Sequence, residues 1–219
     1  MLRFSEEVLL LLLNDKGGTF ADVPATSLDC ALGGAVLMDL AIENRIDTDP
    51  ERLFVVDPTP LGDALLDPML ARIVESEETH DAVHWIKVAT ERAEEIRDRS
   101  LDRLVERGIL RRQDDRFMWV FTARRYPVID NKAIRDVKLR LMGVLFSDEI
   151  PESRDILLIA LADVCGIFRS LLAGSELDAA AQRIAQVRTL DLMGREVTAA
   201  AREIEASMAR AMAMAMPMH

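Results

Sequence analysis

A mostly α-helical, single-domain bundle around a buried central helix, with a protruding β-hairpin, is the fold class that the sequence predicts. Three observations lead there. Apolar residues recur at three- and four-residue spacing over most of the chain. The stretch Ile156 to Phe168 is apolar nearly all round apart from Asp163, the pattern of a central buried helix. One passage, Leu101 to Phe121, leaves the helical pattern: an amphipathic helix stops at Gly108, then come a short strand, a polar turn and a strongly apolar strand of Phe117, Met118, Trp119, Val120 and Phe121.

The elements follow in order. Phe4-Ser5-Glu6-Glu7 predicts a helix start, with Ser5 as the cap, two glutamates at the positive end of the dipole and Phe4 stapled to Leu9. Gly17-Gly18 is its expected end. A second helix is expected from about Ser27 or Asp29 to Asn44, where Gly33 and Gly34 let a neighbouring backbone come close. Thr59-Pro60 reads as a helix cap, with Pro68 breaking or kinking that segment. Further helices are expected from His80 to Ala89 and from Glu91 to Arg107, the latter with Ala93, Ile96, Leu101, Leu104 and Val105 inward. After the hairpin come Asn131 to Phe146, Ser153 to Leu172, Glu176 to Val187, and Leu190 into Met214.

Compared with itself at an offset of about 64 residues, the chain shows one internal repeat. Leu37 falls on Leu101, Leu40 on Leu104, Asn44 on Gly108, Ile46 on Leu110, Leu53 on Phe117 and Val55 on Trp119. Asn and Gly are the residue types that most readily take the left-handed conformation ending a helix. Each copy reads as helix, stop, strand, turn, strand. Any amphipathic helix followed by a hairpin would match comparably, so coincidence stays open beside a true repeat.

The 219 residues are 50% apolar and 30% charged, with a net charge of −11. Such a field repels bare polyanions, so nucleic acid is not an expected partner. Lysine occurs only at Lys16, Lys87, Lys132 and Lys138; the arginine excess leans toward a GC-rich bacterial origin. Cys30 and Cys165 stand far apart in the sequence and no signal-peptide pattern is read at the start, so a reducing cytoplasm is the expected compartment. The apolar runs Val8 to Leu13 and Ile156 to Ala162 fall far short of the roughly 20 residues that span a bilayer. Any membrane contact is therefore expected to be peripheral.

Catalytic chemistry finds no support. His80 and His84 have the spacing of half a zinc site, yet His219 is the remaining histidine and neither cysteine is in a paired motif, so no metal and no cofactor are expected. Phosphate-binding glycine loops, nucleophile elbows and dinucleotide fingerprints are missing, and the carboxylates read as solvated helical faces. The helix-plus-hairpin unit also has the look of a winged helix, with Arg111, Arg112 and Arg116 placed to touch phosphate. Glu91, Glu94, Glu95 and Asp98 on the preceding helix oppose that reading. The methionine-rich end, Ala209 to Met218, reads as an adaptable partner surface or a frayed helix end.

Four passages in order resemble the Golgi phosphoprotein 3 family, specifically a bacterial member. They are Leu2 to Leu11, Leu32 to Ala41, Pro58 to Asp67 and Leu104 to Leu110. The resemblance implies a helical domain spanning residues 1–219 with a protruding hairpin. It also implies a noncatalytic peripheral-membrane protein that binds phosphatidylinositol 4-phosphate. The family's headgroup pocket uses a tryptophan, an arginine ahead of a glycine, and two arginines three apart. Here these fall near Pro24, on Gly33, and on Glu94 and Arg97.

Of that set only Arg97 is kept, so weak or absent binding through this pocket is expected, since a carboxylate in place of a guanidinium repels phosphate. The hairpin residues Arg111, Arg112, Arg116, Phe117, Met118, Trp119, Val120 and Phe121, with Arg124 and Arg125, are then the candidate contact for another anionic lipid or for self-association. The alternatives are a soluble oligomeric interaction protein without lipid binding, and a winged-helix regulator of DNA.

Overall fold

The first two helices are apolar on nearly every face, so neither can sit at the surface, and the rest of the chain is arranged to cover them. In the computed structural model, residues 1–14, 17–117, 121–148, 150–191, 193, 195, 196 and 199 are described. Helix α1 (Phe4–Leu12) is buried along its whole length, and α2 (Ala25–Ile42) is buried from Cys30 to Leu40. Around α2 stand α1, α3 (Asp67–Val74), α4 (Ala82–Thr90), α5 (Ala93–Glu106), α7 (Ser153–Val164) and the short strand β1 (Ile46–Thr48). The second half adds α6 (Asn131–Leu145), α8 (Phe168–Leu171) and α9 (Gly174–Val187), with α6 and α7 closing on α1. The fold class is the expected one.

The centre of the bundle is α2 rather than the stretch beginning at Ile156. By length and composition α2 is apolar enough to cross a membrane, but 72% of it is buried inside the helical body. Several expected boundaries also move. The cap of α1 is Arg3, and Ser5 lies inside the helix, its hydroxyl accepting from Ser100 Oγ at 2.8 Å. Helix α1 ends at Leu12, before the glycine pair. Thr59-Pro60 starts no helix, whereas Pro68 opens α3, where its missing N–H costs nothing. The expected helix from Ser153 to Leu172 divides at Gly166 into α7 and α8. Most of the segment from Leu190 into Met214 lies outside the described residues.

The repeat holds through the helix stops but not through the strands: shifted by 64 residues, β1 and β2 (Leu53–Val55) would fall on 110–112 and 117–119, whereas the second pair lies at 113–117 and 121–125. Strands β1 and β2 form one antiparallel pair, β3 (Gln113–Phe117) and β4 (Phe121–Arg125) another. Asn44 and Gly108 take φ of 54° and 70°, and the hydrogen bonds around them match. The Arg45 amide donates to Leu40 O at 2.9 Å, and the Ile109 amide donates to Leu104 O at 3.0 Å. In each copy this bond satisfies a helix-terminal carbonyl that would otherwise be orphaned. The larger hairpin is therefore not a lone one.

Candidate functional site

Helix α5 begins at Ala93, so Glu94 stands in its first turn and Arg97 one turn further on. Glu94 is exposed and Arg97 half-buried. The Arg97 guanidinium lies over the Phe20 ring, 5.3 Å from its centroid, and that ring tilts against buried Tyr126 at 6.0 Å. Asp29 on α2 faces the same spot. Burial pushes its carboxyl above the ordinary range; Arg97 works against that shift and Glu94 adds to it. One cation among two carboxylates makes a neutral-to-negative site, unsuited to a phosphate dianion.

Gly33 lies one turn beyond Asp29 on α2, and there α2 meets the end of α4 backbone to backbone. A Cβ at Gly33 would come within 2.9 Å of the Thr90 amide nitrogen and 3.1 Å of the Ile86 carbonyl oxygen. No side chain fits between the helices while they pack in this way. Of the carried-over positions, the fold brings Glu94 and Arg97 together and shuts Gly33 inside a helix contact. Pro24, where the family tryptophan would fall, is the N-cap of α2. Sequence reading misses Phe20 and Asp29. Asp29 could have been found, since it precedes Gly33 by one helical turn on the same face.

The hairpin corrects a second expectation. The sequence predicts the apolar run from Phe117 to Phe121 as a strand after a polar turn, but Gln113 to Arg116 are themselves strand, and the run straddles the connection. Phe117 pairs with Phe121, Asp114 with Arg124 and Gln113 with Arg125. The pairing carries on toward the body through the Leu110–Val128 bridge, and the Ile129 amide donates to Ile109 O at 2.9 Å. All of these pairs share one register, whose midpoint is Trp119. From Ile109 to Phe117 the ladder runs roughly 26 Å.

Met118, Trp119 and Val120 lie outside the described residues, and for Arg116, Phe117 and Phe121 only the backbone is described. At the base, the Arg111 amide donates to Pro127 O at 2.9 Å, and the Arg112 guanidinium is paired with Asp102 of α5. Arg112 is thus committed to the body of the protein.

Sequence reading also misses a charged network inside the bundle. Glu6 and Glu7, expected as a solvated helix start, are 0% and 2% exposed. Glu6 faces Arg103 at 3.2 Å and Arg107 at 3.6 Å, while Glu7 accepts from Arg140 at 2.8 Å and Arg154 at 3.0 Å. Asp63 binds both Arg3 at 2.9 Å and Arg103 at 3.0 Å. Burial works to raise the Asp63 carboxyl, but the Leu65 amide and the two arginines hold it below its ordinary value.

A cleft of about 590 Å3 opens beside Asp63, lined among others by Arg3, Glu43, Arg99, Asp102 and Arg103. Several of its charges are paired, Arg3 with Glu43 and both Arg3 and Arg103 with Asp63. His80 and His84 stack at 3.7 Å between ring centroids, both edge-on to Trp85. Among the described residues no group of three or more His, Cys, Asp or Glu is placed to hold a metal ion.

Known proteins resemble this chain in sequence. A family model described as Golgi phosphoprotein 3 (GPP34) matches residues 4–204. Vacuolar protein sorting-associated protein 74 of Eremothecium gossypii is 31% identical over 165 residues, 66% of this chain and 49% of that protein. The protein of the same name from Schizosaccharomyces pombe is 28% identical over 167 residues, 67% of this chain and 49% of its own length. The chain thus spans about half the length of the curated relatives it matches. Both relatives are eukaryotic, so the bacterial origin read from the arginine excess is withdrawn.

Proposed function

The chain belongs to the Golgi phosphoprotein 3 family, and on that premise we propose that it is a noncatalytic adaptor on the cytoplasmic face of a membrane, working through its surfaces. Protein sorting, the process in the relatives' name, is the setting that this reading carries over. The headgroup pocket implied by the resemblance is degenerate here. The observation that supports this is the contact at Gly33, where a Cβ would meet the Thr90 nitrogen at 2.9 Å, leaving Arg97 alone between Asp29 and Glu94.

Liposome flotation with and without phosphatidylinositol 4-phosphate tests the pocket. Equal recovery from the two vesicle types is expected for the wild type. Lipid-specific recovery that vanishes in Arg97→Ala would overturn the degenerate-pocket reading.

Surface contact then falls to the hairpin, whose register centres on Trp119. In the sequence the apolar run Phe117 to Phe121 is flanked by Arg116 and Arg124, a pattern that suits an anionic headgroup layer and equally suits a second copy of the chain. The second reading, a soluble oligomer without lipid binding, draws on the same loss of arginines around Arg97. Trp119→Asp separates the two. Sedimentation velocity showing dissociation to monomers assigns the tip to self-association, whereas an intact oligomer that no longer floats with anionic liposomes assigns it to the membrane.

A further inference from the structure

Four of the ten large apolar side chains exposed among the described residues, Ile129, Leu139, Phe146 and Ile150, belong to α6 and the loops at its two ends. At about 100° per residue, Arg135, Leu139, Met142 and Phe146 fall on one line along the helix. Lys132 and Lys138 lie roughly 60° to either side of it. Ile134, Val137, Leu141 and Leu145 face the core. A shallow groove of about 430 Å3 follows the line, lined by Asn131, Ile134, Arg135, Lys138, Leu139 and Met142.

We propose that this face of α6 lies flat on an anionic lipid surface, with Leu139, Met142 and Phe146 at the boundary between headgroups and acyl chains and Lys132, Arg135 and Lys138 among the phosphates. The charge pattern selects this occupant. In a chain of net charge −11 with lysine at just four positions, two of them border this one apolar line. Lysine is depleted at the centres of protein–protein interfaces, whereas an apolar stripe edged by lysine marks a helix resting in the membrane plane, its long side chains reaching up to the headgroups.

Asp136 is the one carboxylate within α6, and other nearby anions among the described residues, Asp130, Asp148 and Glu152, lie beyond its two ends. Asp136 stands outward of Lys132, Asp148 follows the helix end, and Asp130 turns back to accept the Lys132 amide at 2.8 Å. The fifteen residues of α6 give a strip about 22 Å long. The inference shares with the proposed function the premise that the chain meets a membrane, but it uses neither Arg97 nor the hairpin.

The test is flotation of the purified full chain with phosphatidylcholine vesicles, with or without phosphatidylserine and free of phosphoinositide. The wild type is expected to float with the phosphatidylserine vesicles. Leu139→Glu/Phe146→Glu should weaken that binding more than tenfold and Arg135→Gln roughly fivefold, while Trp119→Asp retains binding that the α6 variants remove. All of these positions on α6 are exposed, and circular-dichroism melting curves matching the wild type will show that the variants fold.

Unchanged binding in Leu139→Glu/Phe146→Glu, with loss in Trp119→Asp, overturns the inference and leaves the hairpin reading standing. Failure of the wild type to float with either vesicle overturns both. Dissociation of an oligomer by Leu139→Glu/Phe146→Glu, with flotation unaltered, assigns the face to a second copy of the chain and likewise overturns it.

Discussion

Asp39 Oδ2 accepts the backbone N–H of Phe4 at 2.9 Å, so a carboxylate from the middle of α2 closes the first turn of α1. Asp39 is 1% exposed, and its Oδ1 stands 4.0 Å from the Arg3 guanidinium. Burial pushes its carboxyl up to about 7, against the opposing pull of the Phe4 amide, Arg3 and Arg154, with Glu7 adding to the rise. The device is an N-cap formed in trans, and it places an ionisable group where water cannot reach it.

A pH dependence follows. The folded state keeps a proton on Asp39 that the unfolded chain releases near pH 4, so stability falls as pH rises from about 4 to 7 and levels off above. Asp39→Asn keeps an oxygen for the Phe4 amide and removes the charge. At pH 8 it should be more stable than the wild type by about 2–4 kcal/mol, because each tenfold change in proton affinity is worth roughly 1.4 kcal/mol. The gap should narrow toward pH 5. Thermal melts of both proteins across that range check this, and a gap independent of pH would count against a buried proton.

Gly33→Arg restores the arginine that the family resemblance implies, and it is expected to fail. The new Cβ would strike the backbone of Thr90 and Ala89, which cannot rotate away as a side-chain tip could. A loss of about 3 kcal/mol or more is expected in urea melts, in line with overpacking at a rigid contact. No gain of phosphoinositide binding should accompany it. Glu94→Arg, at an exposed position, should leave stability within about 0.5 kcal/mol of the wild type.

These two sites show what the sequence could and could not disclose. Gly33 was legible as a point of close helix approach because glycine lacks a Cβ, though its partner, the end of α4, was not. Asn44 and Gly108 were legible as helix stops because few residues tolerate positive φ. The network around Glu6 and Glu7 was hidden because helix periodicity reports which faces are apolar. It carries no sign that arginines 97 and 133 residues further on will bury two carboxylates. The strand bounds of the hairpin escape the sequence for a related reason. Composition marks Phe117 to Phe121 as strand, while the pairing depends on where the chain reverses, and Gln113 to Arg116 carry no β signal of their own.

The paired caps predict a difference between the copies of the repeat. Asn44 bears part of the left-handed penalty that Gly108 avoids, so Asn44→Gly should change stability by no more than about 0.5 kcal/mol, while Gly108→Ala costs about 1–2 kcal/mol. The Gly108 site should be the more costly to alter because it sits at the root of the long hairpin. Chemical denaturation of both variants checks the ranking, and an equal cost for Asn44→Gly and Gly108→Ala would argue against a shared cap.

Glu7 is the strongest test of the buried network. Its two oxygens accept from Arg140 and Arg154, and Arg154 also lies over the Phe4 ring at 4.2 Å and donates to Leu2 O at 2.6 Å. Removing the carboxylate charge leaves both guanidinium groups in place, one of them mostly buried, with Arg140 falling back on Asp155, whose own carboxyl is raised by burial. Breaking one side of such a pair costs far more than the pair itself contributes, because the remaining charge has been taken out of water. Glu7→Gln should therefore destabilise by about 3 kcal/mol. Glu7→Gln combined with Arg154→Met should recover part of that loss, giving a positive coupling in a double-mutant cycle. Strict additivity of the two substitutions in denaturation curves would mean that Glu7 and Arg154 do not interact energetically.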